Sequence, residues 1–202
     1  PTPPADGLAK WLSRMVANGC SHAVMEVSSH ALSQSRVAGV EFDTVAVTNV
    51  RHDHLDFHGS VAQYRAAKAR IFEHLSPWGL AVLDADDLGS ASFLGRCDGP
   101  VLTVGIDSQA EIMAQPLEQR IDEQVFLLTA GDETVPVRSR LLGRHNIYNC
   151  LIATAVGLAY EIDLPTIVRG LEAVSTIPGR LDRIDCGQPF SVCVDYAHTP
   201  DA

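Results

Sequence analysis

The stretch FDTVAVTNV, residues 42–50, decides the fold class, because it is a short apolar run that ends in polar residues. Runs of this form are typical of strands in a parallel sheet. HAVMEV (residues 22–27), GLAVLDADD (residues 79–87) and PVLTVGID (residues 100–107) have the same form. Since helical patterns alternate with these runs, the sequence predicts an α/β fold with a mostly parallel sheet flanked by helices.

Four helices are predicted from apolar residues at helical spacing. The first covers residues 6–18, with Asp6 as its N-cap and Gly19 as its stop, and the second covers residues 60–75. The other two cover residues 145–161 and 164–174. Before them, runs at residues 110–118, 123–130 and 133–140 are joined by short polar turns, which predicts a small antiparallel β subsheet.

Glycine and proline are frequent in IPGRLDRIDCGQP, residues 177–189, which we interpret as a linker. FSVCVDYAHTPDA, residues 190–202, then begins a new strand. The sequence therefore predicts a boundary near Leu181. Residues 1–180 would form one domain, and residues 181–202 would be the linker and first strand of a Rossmann-like second domain.

The composition excludes several classes of protein. Of 202 residues, 46% are hydrophobic and 20% are charged, so the chain can bury a core. A formal net charge of -10 argues against a sequence-independent nucleic-acid binder. No apolar run approaches the roughly 20 residues of a membrane span. Five cysteines without a paired spacing favour reduced thiols in a cytoplasmic protein.

Polar side chains collect at the predicted carboxyl ends of the strands, where ligands bind to parallel sheets. They are Glu26, Ser28, Ser29, His30, Thr48, Asn49 and Asp84. Glu26 is either a metal ligand or a cap for the next helix. Ser28 and Ser29 lack the flanking glycines of a nucleophile elbow and fit phosphate or sugar binding better.

Lys68 lies within an apolar helical stripe in VAQYRAAKARIF, residues 61–72. Burial would lower its pKa, and a neutral amine can capture CO2 to form a carbamate whose oxygens can hold Mg2+. The alternative is a snorkelling side chain, with a buried stem and a solvated ammonium group. Spacing alone favours the snorkelling side chain.

Histidine and aspartate are dense in RHDHLDFHG, residues 51–59. His52, His54, Asp56 and His58 alternate, which indicates either a metal site or a polar loop with capping residues. A dinuclear zinc motif of hydrolases is one version of the metal site, but Phe57 displaces its last histidine. Asn146 and Asn149 lie about one turn apart near a predicted helix start, where they either contact a base or cap the helix.

Together these pieces resemble the Mur ligases, the ATP-dependent amino-acid ligases of peptidoglycan precursor synthesis. The motifs occur in order along nearly the whole chain: MEVSSHAL with Arg36, TNVRHDHLDFHG, YRAAKARIF, GRHNIYN, IPGRLD and VDYAHTPDA. EVSSHAL and DYAHTPDA are similar to the branch of the family that adds a diamino acid to UDP-MurNAc-L-Ala-D-Glu.

The resemblance implies a reaction. ATP phosphorylates a carboxylate of the UDP-MurNAc-dipeptide, the amine of the diamino acid attacks the acyl phosphate, and phosphate leaves. Mg2+ ions neutralise the phosphate charge. We therefore expect a cytoplasmic, monomeric enzyme with no nucleic-acid partner and no membrane span.

The resemblance also implies roles for individual residues. Glu26 matches a magnesium-binding glutamate, His54 the ligand of a second magnesium ion, and Lys68 a carbamylated lysine that supports that ion, so these are the expected catalytic and metal-binding residues. The positions that match contacts to the UDP-MurNAc-dipeptide are Thr2, Ser28, Gln34 and Arg36. The positions that match contacts to ATP are Asn146, Asn149, Arg180 and Asp195.

The sequence departs from the family pattern at several points. Arg51 and His52 stand where other residues are usual, and Asp84 stands where asparagine is usual. The Gly-rich GKT loop that holds ATP phosphates would precede Thr2, so we expect this central domain to be inactive alone. The alternatives are a metallohydrolase built on the His/Asp cluster and a non-catalytic Mur-ligase-like binding module. Folylpolyglutamate synthetases share the architecture but lack this combination of motifs.

Overall fold

The computed structural model describes residues 2–50, 54–184, 186–190 and 192–197. Its helices are α1 (Ala5–Ala17), α2 (Ser29–Ser33), α3 (Leu55–His58), α4 (Val61–Ala69), α5 (Leu88–Ala91), α6 (Arg144–Ala159) and α7 (Leu164–Ala173). Its strands are β1 (Phe42–Val47), β2 (Leu75–Asp84), β3 (Val101–Gly105), β4 (Ile112–Gln119), β5 (Gln124–Ala130), β6 (Glu133–Ser139), β7 (Asp182–Ile184) and β8 (Val192–Val194). Short 3-10 helices cover Arg70–His74 and Leu94–Arg96. No helix among the residues so described is long and apolar enough to cross a membrane.

Strands β1 to β6 form one sheet, in the order in which they occur along the chain. The pairings from β1 through β4 are parallel, whereas β5 pairs antiparallel with both β4 and β6. The α/β fold and its antiparallel group are therefore confirmed. The antiparallel group continues the parallel sheet, because Val104 and Gly105 of β3 pair with Ile112 and Met113 of β4.

The two faces of the sheet carry separate cores, since successive residues of a strand point to opposite faces. Val82 belongs to the cluster that packs against α6 and α7, whereas Leu83 belongs to the cluster that packs against α1, α2 and α4. Both side chains are fully buried. Because β2 is covered on both faces, its apolar run is continuous rather than alternating.

The strand predicted at residues 22–27 is not formed. The segment has no regular secondary structure, and within the described ranges no strand pairs with it. Val24 is 98% exposed, and only Met25 and Val27 pack partly against an apolar cluster. An apolar run is not sufficient for a strand, which also requires a neighbouring chain that satisfies its backbone groups.

The start of α1 corrects the predicted cap. The N-cap position is Pro4, whose fixed φ of −56° leads into the helix, and Asp6 lies in the first turn. There Asp6 forms an exposed ion pair with Lys10 at 3.4 Å. Gly19 has a φ of +74° just after the helix, as expected for a residue that stops a helix.

Strands β7 and β8 form a separate two-stranded antiparallel sheet. β8 lies where a new strand was predicted, whereas β7 falls inside the predicted linker. Arg183 lies opposite Cys193 in the ladder. The glycines and prolines of the segment lie in the flanking turns and do not interrupt the strand. The assignment of residues 181–202 to a second domain stays a prediction.

Candidate functional site

The four residues predicted to contact substrate lie around the two ends of α2. Thr2 is buried, and its hydroxyl donates to the carbonyl of Glu26 at 2.7 Å. The N–H of Ser28 donates to the same hydroxyl oxygen at 3.4 Å. The carbonyl of Thr2 accepts from Nη1 of Arg36 at 2.8 Å. The amino-terminal segment, the coil before α2 and the chain just after α2 are thus joined through one threonine.

Gln34 orients the guanidinium of Arg36. Oε1 of Gln34 accepts from Nε and Nη2 of Arg36 at 2.8 and 2.6 Å. Since the Thr2 carbonyl accepts from the remaining terminal nitrogen, the plane of the guanidinium is fixed. A fixed planar cation of this kind is suited to bind a carboxylate or phosphate.

Glu26 lies in the coil that precedes α2, and its residue is exposed. The cap of α2 is Ser28, whose hydroxyl accepts from the N–H of Ala31 at 3.2 Å. The alternative that Glu26 caps the helix is therefore wrong. Glu26 lies two residues before Ser28, which contacts Thr2, and its exposure leaves it open to a ligand.

His54 has left-handed backbone, with φ of +52°, immediately before α3. This conformation is uncommon for residues with a side chain. The imidazole of His54 lies edge-on to that of His30, with ring centroids 4.6 Å apart. His30 also contacts Phe57, at 4.1 Å between centroids. The left-handed turn therefore brings His54 from the β1–α3 connection to the start of α2.

His58 is held inside the same group of rings. Its residue is buried, and Nε2 lies 2.9 Å from the hydroxyl of Ser29. Burial, followed by the nearby imidazoles of His30 and His54, lowers the pKa of His58, and Asp56 partly opposes this. A histidine with these contacts stabilises the packing of α2 against α3.

Lys68 reaches the carboxyl end of β1. Its Nζ donates to the carbonyl of Asn49 at 2.8 Å and lies 5.2 Å from the centre of the Tyr64 ring. Tyr64 is buried, whereas Lys68 is only partly buried. The amine is thus neither enclosed in the apolar core nor extended into bulk water, and it has a defined position at the edge where ligands are expected.

The donor set fits Mg2+ in its chemistry under one condition. Mg2+ prefers oxygen ligands, and the ammonium group of Lys68 would repel it unless the amine became a carbamate. Among the described residues, no three His, Cys, Asp or Glu side chains are grouped so that they could hold a metal ion. Arg51, His52 and Asp53, which belong to the predicted His/Asp cluster, lie outside the described residues.

The predicted nucleotide contacts Asn146 and Asn149 lie in the first turns of α6. Asn146 is almost fully buried, and its Nδ2 donates to the carbonyl of Leu142 at 2.7 Å. Its Oδ1 accepts from Nδ2 of Asn149 at 3.0 Å. The N-cap position of α6 is Gly143, so Asn146 fixes the chain that enters the helix rather than capping its N–H groups. Asn149 is the exposed member of the pair.

Arg180 and Asp195 meet near Leu181. The carboxylate of Asp195 accepts from the N–H groups of Leu181 at 2.7 Å and Ala197 at 2.6 Å. These two hydrogen bonds lower the pKa of Asp195, and the charges of His145 and Arg180 act in the same direction. Leu181 itself has left-handed backbone, with φ of +48°. A Cβ atom at Gly143, the N-cap of α6, would lie 3.3 Å from Cδ1 of Leu181, so this junction lies beside the start of α6.

A cavity of about 300 Å³ adjoins Arg180. Its polar lining includes Arg140 and Arg183, neither of which was singled out from the sequence, and Thr176. A larger cavity of about 450 Å³ lies at the end of α6 and the start of α7, and none of the predicted site residues line it. The positively charged smaller cavity is therefore the one that belongs to the candidate site.

Sequence reasoning missed two contributors. His30 was noted only as polar, yet its ring connects His54 to His58. Asp87 is the other. It is the N-cap of α5 and accepts from the N–H of Ser90, and an aspartate before a helix is a cap signal that the sequence carries.

Comparison with known proteins places the chain. Residues 2–157 match the Mur ligase middle domain. The UDP-N-acetylmuramoyl-L-alanyl-D-glutamate–2,6-diaminopimelate ligase of Geobacillus thermodenitrificans is 40% identical over 207 residues, covering 100% of this chain and 42% of the relative. The UDP-N-acetylmuramyl-tripeptide synthetase of a Roseiflexus species is 40% identical over 217 residues, with the same two coverages.

Solved structures agree. A UDP-N-acetylmuramoyl-L-alanyl-D-glutamate–2,6-diaminopimelate ligase superposes with a TM-score of 0.84 at 28% identity, over 98% of this chain and 42% of that one. MurF from Acinetobacter baumannii gives a TM-score of 0.72 at 26% identity, over 79% of this chain and 35% of that one. This chain spans about two-fifths of the length of the curated relatives. Since the family match covers most of its residues and the relatives align with all of it, the chain belongs to the Mur ligase family.

Proposed function

We propose that this chain is the ATP-binding middle part of a longer ligase that joins a diamino acid to UDP-MurNAc-L-Ala-D-Glu in peptidoglycan synthesis. The observation that carries the proposal is 40% identity along the whole chain to a relative with that activity in its name. Residues 1–180 would form the central domain, and residues 181–202 would begin the next one. A cytoplasmic location and a monomeric state remain predictions.

The reaction has two steps in this proposal. A carboxylate oxygen of the UDP-MurNAc-dipeptide attacks the γ-phosphorus of ATP, which gives an acyl phosphate and ADP. The amine of the diamino acid then attacks the acyl carbon, phosphate leaves, and the new amide nitrogen loses a proton. Since both the nucleotide and the dipeptide precursor are anionic, the chain has to bring two negative charges together.

The residues around α2 would bind the precursor. Arg36, held by Gln34 and the Thr2 carbonyl, offers a fixed cation, and Ser28 and Thr2 hold the backbone beside it. Arg180, Asp195 and the Asn146–Asn149 pair would contact ATP near the start of α6. The polar contacts of these residues support this division of the site into two ends.

Glu26, His54 and Lys68 would hold Mg2+, which supplies positive charge to the phosphate oxygens when bound. Lys68 would take part as a carbamate, in which its neutral amine bonds to the carbon of CO2 and releases one proton. The carbamate nitrogen keeps one N–H, so it can still donate to the Asn49 carbonyl that accepts from Nζ. The carbamate would then present two oxygens in place of a positive charge.

The test is Lys68→Ala in the full-length ligase that contains this sequence. We expect kcat for phosphate release, with the precursor and a diamino acid present, to fall by at least about a hundredfold, since a group needed in the transition state is lost. The far-UV circular dichroism should stay unchanged, because Lys68 is not part of the core.

Lys10→Ala is the matched control. Lys10 forms only an exposed ion pair with Asp6, and such pairs contribute little. Near-normal turnover of Lys68→Ala would contradict the proposal. Hydrolysis of the precursor by the wild type in the absence of ATP would also contradict it.

The metallohydrolase alternative has less support. It needs His58 as a ligand, but that side chain is buried and bonded to Ser29. The non-catalytic alternative is decided by the same assay, since a binding module would release no phosphate.

A further inference from the structure

The turn that follows β2 lies against the end of β1, where Lys68 is held. We call residues 84–90, DADDLGS, the acidic turn. The sequence pattern indicates only Asp84, at its start, as a residue of a ligand site. None of the residues of the acidic turn belongs to the proposed ligand contacts. Its contacts with β1 nevertheless determine where the Asn49 carbonyl lies.

Asp87 bonds two backbone groups at once. Its Oδ1 accepts from the N–H of Ser90 at 2.7 Å, which caps α5. The same oxygen accepts from the N–H of Val50 at 2.9 Å. Both Asp87 and Val50 are buried, so the bond is shielded from water. One carboxylate therefore ties the acidic turn to the residue after Asn49.

Ser90 makes a second connection. Its hydroxyl donates to the carbonyl of Val47 at 3.3 Å and accepts from the N–H of Asp84 at 3.0 Å. Ser90 is fully buried. The chain that leaves β1 is thus bonded to the acidic turn at Val47 and Val50, on either side of Asn49.

Gly89 allows this close approach. A Cβ atom at Gly89 would lie 2.3 Å from the carbonyl oxygen of Val50 and 2.6 Å from its Cβ. Real Cβ atoms do not approach backbone so closely, so any larger residue would push Val50 away. The contact is therefore one of shape as well as of hydrogen bonding.

We infer that Asp87 is a positioning residue, which holds Val50 so that the Asn49 carbonyl fixes the amine of Lys68. The amine donates to that carbonyl at 2.8 Å. An amine held in one place presents its carbamate in one orientation. The positioning stands on the contacts themselves, and its consequence for ligation rests on the proposed function.

The chain offers a direct readout, because Lys10 and Lys68 are its two lysines. Competitive acetylation at limiting reagent, followed by mass spectrometry of peptides, gives the reactivity of Lys68 relative to Lys10. Lys10 lies in α1, where it forms an exposed ion pair with Asp6, and serves as the internal reference. Amide hydrogen exchange at Val50 reports the hydrogen bond that its N–H donates to Asp87.

Asp87→Ser separates the two bonds of Asp87, since serine is a good helix cap but its side chain is too short to reach Val50 as well. We expect at least roughly tenfold faster exchange at Val50 and at least a threefold change in the acetylation ratio. Asp87→Asn keeps an acceptor oxygen and should restore both values. The control is Asp163→Ser, the same change at the cap of α7, where Asp163 accepts from the N–H of Thr166. It should leave both values unchanged.

In the full-length ligase, Asp87→Ser should lower kcat at least roughly tenfold while KM for the precursor changes less than threefold, because its binding residues are untouched. An unchanged acetylation ratio in Asp87→Ser, or an equal change in Asp163→Ser, overturns the inference. If Asp87→Ser does not fold, Gly89→Ala displaces Val50 without altering the carboxylate, and the same outcomes apply. A wild type without ligase activity refutes the proposed function, and the acetylation ratio still decides the inference.

Discussion

Asp84, Asp86 and Asp87 follow one another closely, yet each carboxylate has a different environment. Burial raises the pKa of Asp84 to about 6. The charges of Asp86 and Asp87 also raise this pKa, whereas a hydrogen bond from the N–H of Asp86 lowers it. Burial also raises the pKa of Asp86, but hydrogen bonds from Ser108, Asp107, Ile106 and Tyr148 outweigh it and hold that pKa well below its usual range. Asp87 joins two parts of the backbone. The three neighbouring aspartates thus have three separate structural roles.

Asp84→Asn should stabilise the protein at neutral pH. The folded pKa of Asp84 lies above its usual value of 3.8, so the folded state is penalised once the carboxyl ionises. This penalty is absent below about pH 4 and complete above about pH 6. A rise in the pKa from 3.8 to about 6 lowers the free energy of unfolding by about 3 kcal/mol. We expect the variant to unfold at higher temperature at pH 7 to 8, by scanning calorimetry.

The gain from Asp84→Asn should shrink as the pH falls from 6 toward 4. Asparagine keeps an oxygen that can accept from the N–H of Asp86, as Asp84 does at 2.9 Å. Asp132→Asn, at an exposed turn between β5 and β6, is the control and should show no such gain. A gain that is constant with pH would show that ionisation is not its cause.

At the scale of elements, α4 is a short helix that carries Lys68, and its start depends on one residue. The hydroxyl of Ser60 accepts from the N–H of Gln63 at 3.2 Å, and Gly59 precedes it with a φ of +73°. Helices this short depend on caps and packing rather than on propensity. The position of the Lys68 amine therefore depends on both ends of its hydrogen bond, the helix and the acidic turn.

Ser60→Ala should lower the free energy of unfolding by about 1 kcal/mol, the usual effect of losing an N-cap. Urea denaturation followed by circular dichroism measures it. Ser13→Ala, at an exposed position inside α1, is the control, and should be neutral or slightly stabilising because alanine favours helix. Equal losses in both variants would contradict a role for Ser60 as a cap.

At the scale of the whole molecule, β2 and β3 join the two cores. Phe126 is fully buried in the cluster beneath α6 and α7, and Phe93 is buried in the cluster beneath α1, α2 and α4. Because the same strands form the floor of both clusters, neither core can open without exposing the other face of the sheet.

Phe126→Ala and Phe93→Ala should each lower the midpoint of one common thermal transition by roughly 10 °C. A cavity of that size typically costs about 3–5 kcal/mol, and each kcal/mol shifts the midpoint by about 2–4 °C in a protein of this size. Calorimetry of both variants checks this. Two resolved transitions, with each variant shifting a different one, would show that the cores unfold independently.

The sequence predicted the fold where local pattern is sufficient. Apolar runs located β1 to β6, and helical spacing located α1, α4, α6 and α7. It failed at residues 22–27, because an apolar run does not reveal whether a neighbouring strand is present. It also could not show that Lys68 contacts the Asn49 carbonyl, since that group lies 19 residues earlier in the chain. Nor did it identify Asp87, whose importance depends on a contact with Val50 across the end of the sheet.

The left-handed backbone of Leu181 has a consequence for any molecule that approaches Asp195. Both oxygens of that carboxylate already accept hydrogen bonds, one of them from the N–H of the unfavourably twisted Leu181. A ligand that draws the carboxylate away must leave that peptide group without its acceptor, so capture of the ligand and loosening of the junction would be the same event. Nucleotide affinity and freedom of movement at residue 181 would then rise and fall together.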